Sequence, residues 1–557
     1  MDPGRSHIRR NRANEKANYP ASTLSMIGLG RTPCDEGVVR AAARDRRGCA
    51  ERAKPWVLTA TILGSSLAFI DGSVVSVALP AIQANMTTSV RGAQWIVSAY
   101  MLLLGALILI GGAAGDRFGR RRVFAIGVTI FTVASIACGL APDAITLVAA
   151  RAVQGVGGAL LVPSSLAIIS AAFPDAERGR AIGTWAGFSA LTTGFGPVLG
   201  GFLVDAWSWR AIFFVNVPIA IVTLLILYWR APESRNDDDA ASVDWLGGFL
   251  ATTGLAALAY GLTEASDLGW AHPAVLGTLF AGTLVLAAFV WWEARATAPM
   301  MPLALFRSRA FSGANAMTLL LYFALSGTMF LVPFNLIRIQ GYTATLAGAA
   351  FLPFTLIMGG LSRWSGGLVE RYGARTPLIV GPIIAAAGFA LFAVPGIGGP
   401  YWMTFFPAMA VLGLGMAVSV APLTATVMGA VAERHAGIAS GINNATARIA
   451  GLMAVALLGA VAVDEFRSAL DDRLTALRVA PEIHRMLQAE VPKLAEAQVP
   501  PQIGAPERPI LERALNEAFV RSFRLTMLIA SGLALLSAFC AALTIEPKSR
   551  HGHRTGA

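Results

Sequence analysis

Fourteen stretches of the chain stay apolar for about twenty residues or more, and that repetition leaves few folds open. They fall near 56–82, 94–114, 122–141, 144–170, 182–205, 210–229, 245–263, 273–293, 311–333, 346–366, 376–395, 401–428, 437–463 and 522–545. A bilayer core about 30 Å thick is crossed by about 20 residues of helix. Within it every backbone N–H and C=O must be bonded inside the protein, so runs of this length are helices. Composition agrees, since 14% of residues are charged where soluble chains carry about 25%. A soluble enzyme and a disordered protein are both excluded. The expectation is an all-α membrane protein with fourteen spans.

Arginine placement sets the orientation. With the N-terminus inside, the inner connections and the C-terminal tail carry seventeen basic residues, among them Arg117, Arg120, Arg121, Arg122, Arg230, Arg295 and Arg375. The short outer connections carry three, Arg91, Arg210 and Arg338. Positive residues stay on the cytoplasmic side, so both termini are expected there, with the spans in the inner membrane. Residues 1–55 hold twelve Lys/Arg against six Asp/Glu, or +6 of the net +11. This reads as a basic cytoplasmic flank; no aromatic or motif context supports nucleic-acid binding. No cleavable leader is expected, because the tail before the first run is long and polar.

Several absences narrow the chemistry. Cys34, Cys49, Cys138 and Cys540 have no metal-ligand spacing and make no disulfide framework. None of the four lysines, Lys16, Lys54, Lys493 and Lys548, follows a glycine, so there is no Walker A loop and no direct ATP drive. No His-Glu-x-x-His pair occurs. An enzyme, a cofactor and a bound metal are therefore not expected.

The chain repeats itself. Gly115-Asp-Arg-Phe-Gly-Arg-Arg121 follows the second run and Val369-Glu-Arg-Tyr-Gly-Ala-Arg375 the tenth, 254 residues on. Asp116 thus pairs with Glu370, Arg117 with Arg371 and Gly119 with Gly373; Ala176–Arg178 and Ala432–Arg434 repeat at 256. Two parallel six-helix halves with two spans inserted between them explain both offsets, and that is a transporter plan. The divisions expected are a basic tail at 1–55, a first bundle at 56–230, inserted spans at 231–310, a second bundle at 311–545 and a tail at 546–557. One outer connection is long: 464–520 holds ten acids, seven bases and six prolines. Leu470, Leu474 and Leu477 recur there at helical spacing and predict a short amphipathic helix.

Asp71 is the most informative residue, about fifteen residues into the first run with no charge near it in sequence. A carboxylate at membrane depth costs about 2.5–3.5 kcal/mol, and such residues face a cavity or a partner. A proton or cation site is one reading and a helix-packing acid the other. At 1.5 Å per residue Asp71 stands about 22 Å from the inner edge, and Arg151 about 10 Å from the outer edge. In a core about 30 Å thick those depths nearly coincide, which makes Arg151 the expected companion.

The Asp116-Arg117-Phe118-Gly119-Arg120-Arg121 loop resembles the signature loop of the major facilitator superfamily. Four further stretches resemble its 14-helix drug:proton antiporter branch: Ile70–Pro80, Gln94-Trp95 with Ala99-Tyr100, Arg151-Ala-Val-Gln154-Gly155, and Gly196-Pro197-Val-Leu-Gly200-Gly201. The resemblance covers about 56–545. It implies the major facilitator fold and export of drug-like amphiphiles against protons, with Asp71 and Arg151 in proton coupling. Asp116, Arg117, Gly119, Arg120, Arg121, Glu370, Arg371 and Gly373 form a conformational latch in this reading. Gly183, Gly187, Gly196, Pro197, Gly200 and Gly201 resemble the antiporter helix, although Thr192 stands where that motif has glycine. Gln154, Trp185, Phe188, Tyr322, Phe330, Met358 and Arg448 are candidates to line the substrate cavity. Asp244, Glu264 and Glu293, at span boundaries, read as solvated acids. Spans nine and ten contain no acid, so any second proton site falls to Glu264 or Glu293. Partners are then a small-molecule substrate, protons and the bilayer, and nothing supports a periplasmic adaptor. A dedicated exporter of one metabolite, lipid or siderophore, and a non-transporting sensor or scaffold, are the alternatives.

Overall fold

The computed structural model describes residues 45–173, 175–231, 233, 244–297, 299–431, 436–504 and 506–546. The basic tail, the end of the chain beyond 546, the Ala432–Arg434 repeat, and the side chains of Asp116, Arg363, Glu370, Gly183 and Gly187 lie outside that description. Ala53–Ala557 is one compact unit, and the following concerns it.

The first six spans are α1 (Asp45–Met86), α2 (Val90–Phe118), α3 (Arg120–Leu140), α4 (Ala144–Ala172), α5 (Asp175–Ala206) and the pair α6 (Ala211–Phe214) and α7 (Asn216–Arg230). The inserted spans are α8 (Trp245–Leu268) and α9 (Pro273–Glu293). The second half holds α10 (Arg309–Phe334), the broken pair α11 (Ala344–Ala349) and α12 (Leu352–Tyr372), α13 (Arg375–Phe392), α14 (Phe405–Gly429), α15 (Ala436–Ala476), a short α16 (Pro481–Gln488) and α17 (Arg508–Thr544). Among the described residues thirteen helices are long and apolar enough to span a membrane. The fourteenth is α5, a helix of 32 residues that carries the apolar run at 182–205.

Sequence-local chemistry sets many ends. Asp143 caps α4 by accepting from Thr146 N at 2.8 Å, and Asp244 caps α8 from Gly247 N at 2.8 Å. Such caps satisfy orphan N–H groups of the first turn. The repeated glycines have a backbone reason: Gly119 turns α2 into α3 at φ 103°, and Gly373 turns α12 into α13 at φ 76°. A side chain at positive φ is strained, so both halves need glycine at the same turn.

Two helix seams join the halves. Along one, α2 runs beside α15: Gln94 Nε2 donates to Val455 O at 2.9 Å, Met101 meets Gly451, and Gly105 meets Arg448. Along the other, α5 meets α11, where the Asp205 carboxylate accepts from Ala344 N at 3.2 Å and Thr345 N at 2.7 Å. Gly201 lies against the Ala344 backbone and Gly348 against that of Pro197. Small residues there allow the close backbone approach that packing in lipid depends on. The inserted α8 packs on α2 and α15, with α9 on its far side. Only 17% of the α9 span is buried, against 67% for α2, so α9 is a lipid-facing helix.

The bundle has an arginine face, where the Gly119 and Gly373 turns lie, and a cap face, covered by residues 477–504. Toward the cap face one hydrophobic core joins both halves, from Val74 and Ile82 to Phe334 and Phe466. Toward the arginine face the core divides, one part around Phe124 and Phe131 and another around Phe311 and Leu423.

The connection expected at 464–520 departs from its reading as a loop. Helix α15 continues to Ala476, and α17 begins at Arg508, well before the apolar run at 522. Leu470 and Leu474 are buried on that extension and Leu477 is exposed, so the expected amphipathic helix is the end of α15 rather than a separate element. Polar residues extend these helices beyond the apolar window, which is why apolarity alone made both too short.

Candidate functional site

Helix α1 presents Asp71 to α4 at mid-depth, and both residues are 1% exposed. Arg151 Nη1 donates to Asp71 Oδ2 at 2.5 Å. The second carboxylate oxygen accepts from Gln154 Nε2 at 2.8 Å, and Gln154 Oε1 in turn accepts from Arg151 Nη1 at 2.8 Å. Gln154 follows Arg151 by three residues, which puts both side chains on one face of α4. It is fully buried, so the residue expected at a cavity wall belongs to the ion-pair cluster instead. Arg151 Nε donates to Ile96 O at 3.1 Å, and its guanidinium lies over the Tyr100 ring at 4.3 Å from the centroid. Cys138 Sγ donates to Gln154 Oε1 at 3.6 Å.

This arrangement uses up both carboxylate oxygens. In a low-dielectric interior a buried pair persists only when its remaining lone pairs and protons are also bonded. The cluster is neutral as a unit, with the carboxylate balancing the guanidinium. A proton arriving at Asp71 would remove that balance and release Arg151 from its strongest partner.

Helix α5 touches α1 immediately beyond the cluster. Gly196 lies against Ser73 and Gly200 against Val74, so tightly that a methyl on Gly200 would meet Val74 Cγ1 at 2.9 Å. Thr192 turns its hydroxyl back to Ser189 O at 3.0 Å, a bond within α5. Trp185 Nε1 donates to Ser65 Oγ at 3.0 Å and its ring edges Phe69.

The expected cavity residues do not share one surface. Phe330 is 3% exposed and packs edge-on to Phe334 in the cap-side core. Phe188 is 50% exposed on α5. Tyr322 and Met358 are partly buried, and Arg448 lies beside Gly105 on the α2–α15 seam, within electrostatic reach of Tyr322.

At the Gly119 turn, Glu233 carries contacts that no motif announced. Its Oε1 accepts from Arg121 N at 3.0 Å, its Oε2 lies 3.7 Å from Arg122 Nε, and Gly119 packs beneath it. Arg121 Nη2 also donates to Tyr228 O at 3.4 Å. Arg117 stacks on Phe118 and Arg371 on Tyr372, while Arg375 donates to Ala542 O at 2.8 Å. Arg120 is partly buried near the same turn.

The boundary acids read as solvated are not. Glu264 is 5% exposed and pairs with Arg91 Nη1 at 3.2 Å; Glu293 is 2% exposed. Asp244 is engaged as a cap and accepts from Trp292 Nε1 at 2.9 Å. The three arginines of the short outer connections are all held: Arg91 by Glu264, Arg338 by Glu496, and Arg210 by Ala141 O and the Trp209 ring. Trp209 apart, each of these partners is distant in sequence, so no local pattern could have revealed it.

The profile of the Major Facilitator Superfamily matches residues 61–455. The chain is 35% identical to the multidrug resistance protein Stp of Mycobacterium tuberculosis (strain CDC 1551 / Oshkosh), over 89% of this chain and 92% of that one. It is 32% identical to the tetracenomycin C resistance and export protein of Streptomyces glaucescens, over 90% and 94% of the two chains. It is 36% identical to the puromycin resistance protein pur8 of Streptomyces alboniger, over 76% and 84%. Among solved structures, a bacterial homolog to the human lysosomal transporter Spinster superposes with a TM-score of 0.61 at 18% identity, over 88% of this chain and 98% of that one. Profile, relatives and fold converge: the chain belongs to the Major Facilitator Superfamily, a family of multi-pass membrane transporters of small molecules and not of enzymes.

Proposed function

We propose that the protein is a proton-coupled exporter of drug-like amphiphiles, set in the inner membrane with its arginine face and both termini in the cytoplasm. The observation that carries this reading is the sealed Asp71–Arg151–Gln154 cluster. A packing role alone does not call for a carboxylate at the centre of an apolar bundle, because a buried ion pair is often no more stabilising than apolar residues of the same shape. Proton carriage does call for one. Asp71 takes a proton, Arg151 loses its counter-charge, and the α1–α4 contact rearranges. Helix α5 rests on Ser73 and Val74 through Gly196 and Gly200, so the change passes directly to a helix that also contacts the second half.

Drug-like substrates are inferred from the relatives, whose names tie them to multidrug resistance, tetracenomycin C and puromycin. Two of those names specify one antibiotic, which favours as a second reading a dedicated exporter of a single compound. A susceptibility panel in a pump-deleted host separates the two. Protection against several unrelated compounds supports the broad reading and protection against one the narrow; Asp71→Asn should abolish either. Equal susceptibility of vector and wild type across the panel would sink both.

A further inference from the structure

On the arginine face, the ends of the two inserted spans hold a second buried acid that proton transport through the bundles does not use. Glu293, the last residue of α9, is 2% exposed. One of its oxygens, Oε2, accepts from Met301 N at 2.9 Å on the connection leading to α10. The other, Oε1, has no hydrogen-bond partner although it is buried. It points at Asp244, the cap of α8: a methyl built on Gly247 would meet Asp244 Oδ2 at 2.5 Å and Glu293 Oε1 at 2.8 Å. Two carboxyl oxygens, both acceptors, thus converge over one glycine.

Among the described residues no cation balances them; the groups that bear on Glu293 are the Asp244 carboxyl and the Met301 amide. On the neighbouring elements, Arg295 is stacked on Trp291 at 4.3 Å, α2 presents Ile110 to Gly248, Arg117 stacks on Phe118, and Arg448 lies beside Gly105. Trp292 Nε1 donates to both Asp244 oxygens, at 2.9 and 3.1 Å, and Gly247 N donates to Oδ1 at 2.8 Å. The donors present therefore favour a charged Asp244 and leave Glu293 Oε1 with nothing. Two like charges so close, one of them out of water, cannot both stand.

We propose that Asp244 and Glu293 form a one-proton binding site, in which a proton on Glu293 Oε1 is donated to Asp244 Oδ2 and clasps the inserted spans to the connection entering the second half. Loss of that proton leaves two facing carboxylates, and the clasp opens. The ligand is the proton itself, drawn from the water at the arginine face. The pair titrates as a unit. The site lies outside the two bundles, so it acts on how α8 and α9 are held and stands or falls independently of Asp71.

The test uses the purified full chain in nanodiscs between pH 6 and 9, with Glu293→Gln and Asp244→Asn beside wild type. Either amide supplies a permanent N–H donor in place of the proton. Wild type should lose melting temperature as pH rises, while both variants hold theirs, so the gap widens with each pH step. Infrared difference spectra of wild type minus Glu293→Gln should contain a protonated-carboxyl C=O band that fades over the same range. Parallel pH slopes in wild type and both variants would overturn the proposal, as would a difference spectrum without that band. Restoration of wild-type stability at pH 9 by sodium alone would assign the site to a metal cation instead and refute it equally. If one variant fails to fold, the other amide and the wild-type infrared titration still decide.

Discussion

Asp71→Asn should destabilise the fold by far more than one hydrogen bond, and part of that loss should be recovered when Arg151 is removed with it. Asparagine keeps the acceptor for Gln154 Nε2 but cancels the charge facing Arg151 Nη1 at 2.5 Å. Arg151 is 1% exposed, so its charge cannot be solvated in place. Stripping one partner from a buried pair costs about 3–5 kcal/mol, whereas replacing the whole pair by apolar residues is roughly neutral or even favourable. Asp71→Leu with Arg151→Met leaves Gln154 only its weak bond from the Cys138 thiol, which costs about 1–3 kcal/mol for a buried polar group. The double variant should therefore be more stable than Asp71→Asn by about 2 kcal/mol, from the same two ranges. SDS titration of purified protein in mixed micelles reads this through the unfolding midpoint. Single-variant costs that simply add would show that the two charges do not support each other, and would refute the argument. The double variant must also be inactive in transport, which separates stability from function.

Other perturbations address other parts. Gly119→Val places a side chain at φ 103° and against Glu233 Oε1 at 2.8 Å; a stability loss of at least about 1 kcal/mol with impaired transport is expected from left-handed backbone strain, and an unchanged melting midpoint would argue against it. Asp205→Ala removes the bonds to Ala344 and Thr345, each worth about 1.5–3 kcal/mol as a bond to a charged group. A cysteine pair across the α5–α11 seam should then crosslink more slowly than in the parent, and an equal rate would show the contact to be passive. On the cap, burial holds the Glu496 carboxyl above the usual carboxylate range, with Arg338 partly offsetting it. A raised acid stabilises fully at low pH and loses its contribution as pH rises through its folded value. Limited proteolysis of residues 477–504 should thus be slower at pH 5 than at pH 8, and Glu496→Gln should flatten the difference; an opposite trend would contradict the assignment.

Which parts of this protein are legible in its sequence follows from how far apart the determining residues lie. The spans are legible because hydrocarbon thickness and helical rise fix their length. The meeting of Asp71 with Arg151 is legible for the same reason, since depth in a membrane is a one-dimensional coordinate that residue counting measures. Gln154 carried a usable signal in its i+3 spacing from Arg151, yet its burial in the cluster depends on Tyr100 and Ile96 of α2. Glu233, Glu264 and Glu293 were illegible as buried or engaged groups. Their partners Arg121, Arg91 and Met301 come to them through helix packing or a folded connection, and a lone boundary acid looks alike whether solvated or enclosed. The extended ends of α15 and α17 escaped because polar residues outside hydrocarbon are no obstacle to a helix.

Whether Asp71 carries the coupling proton is decided in proteoliposomes loaded with a monovalent cationic substrate. One proton moving down about 100 mV releases about 2.3 kcal/mol, and one pH unit adds about 1.4. Exchange of one proton for one monovalent cation moves no net charge, so only the pH term drives it. Nigericin with potassium should then collapse transport, valinomycin with potassium should leave it intact, and Asp71→Asn should show no pH-driven transport in either condition. Pumping by Asp71→Asn under a pH gradient, or collapse with valinomycin alone, would contradict the account.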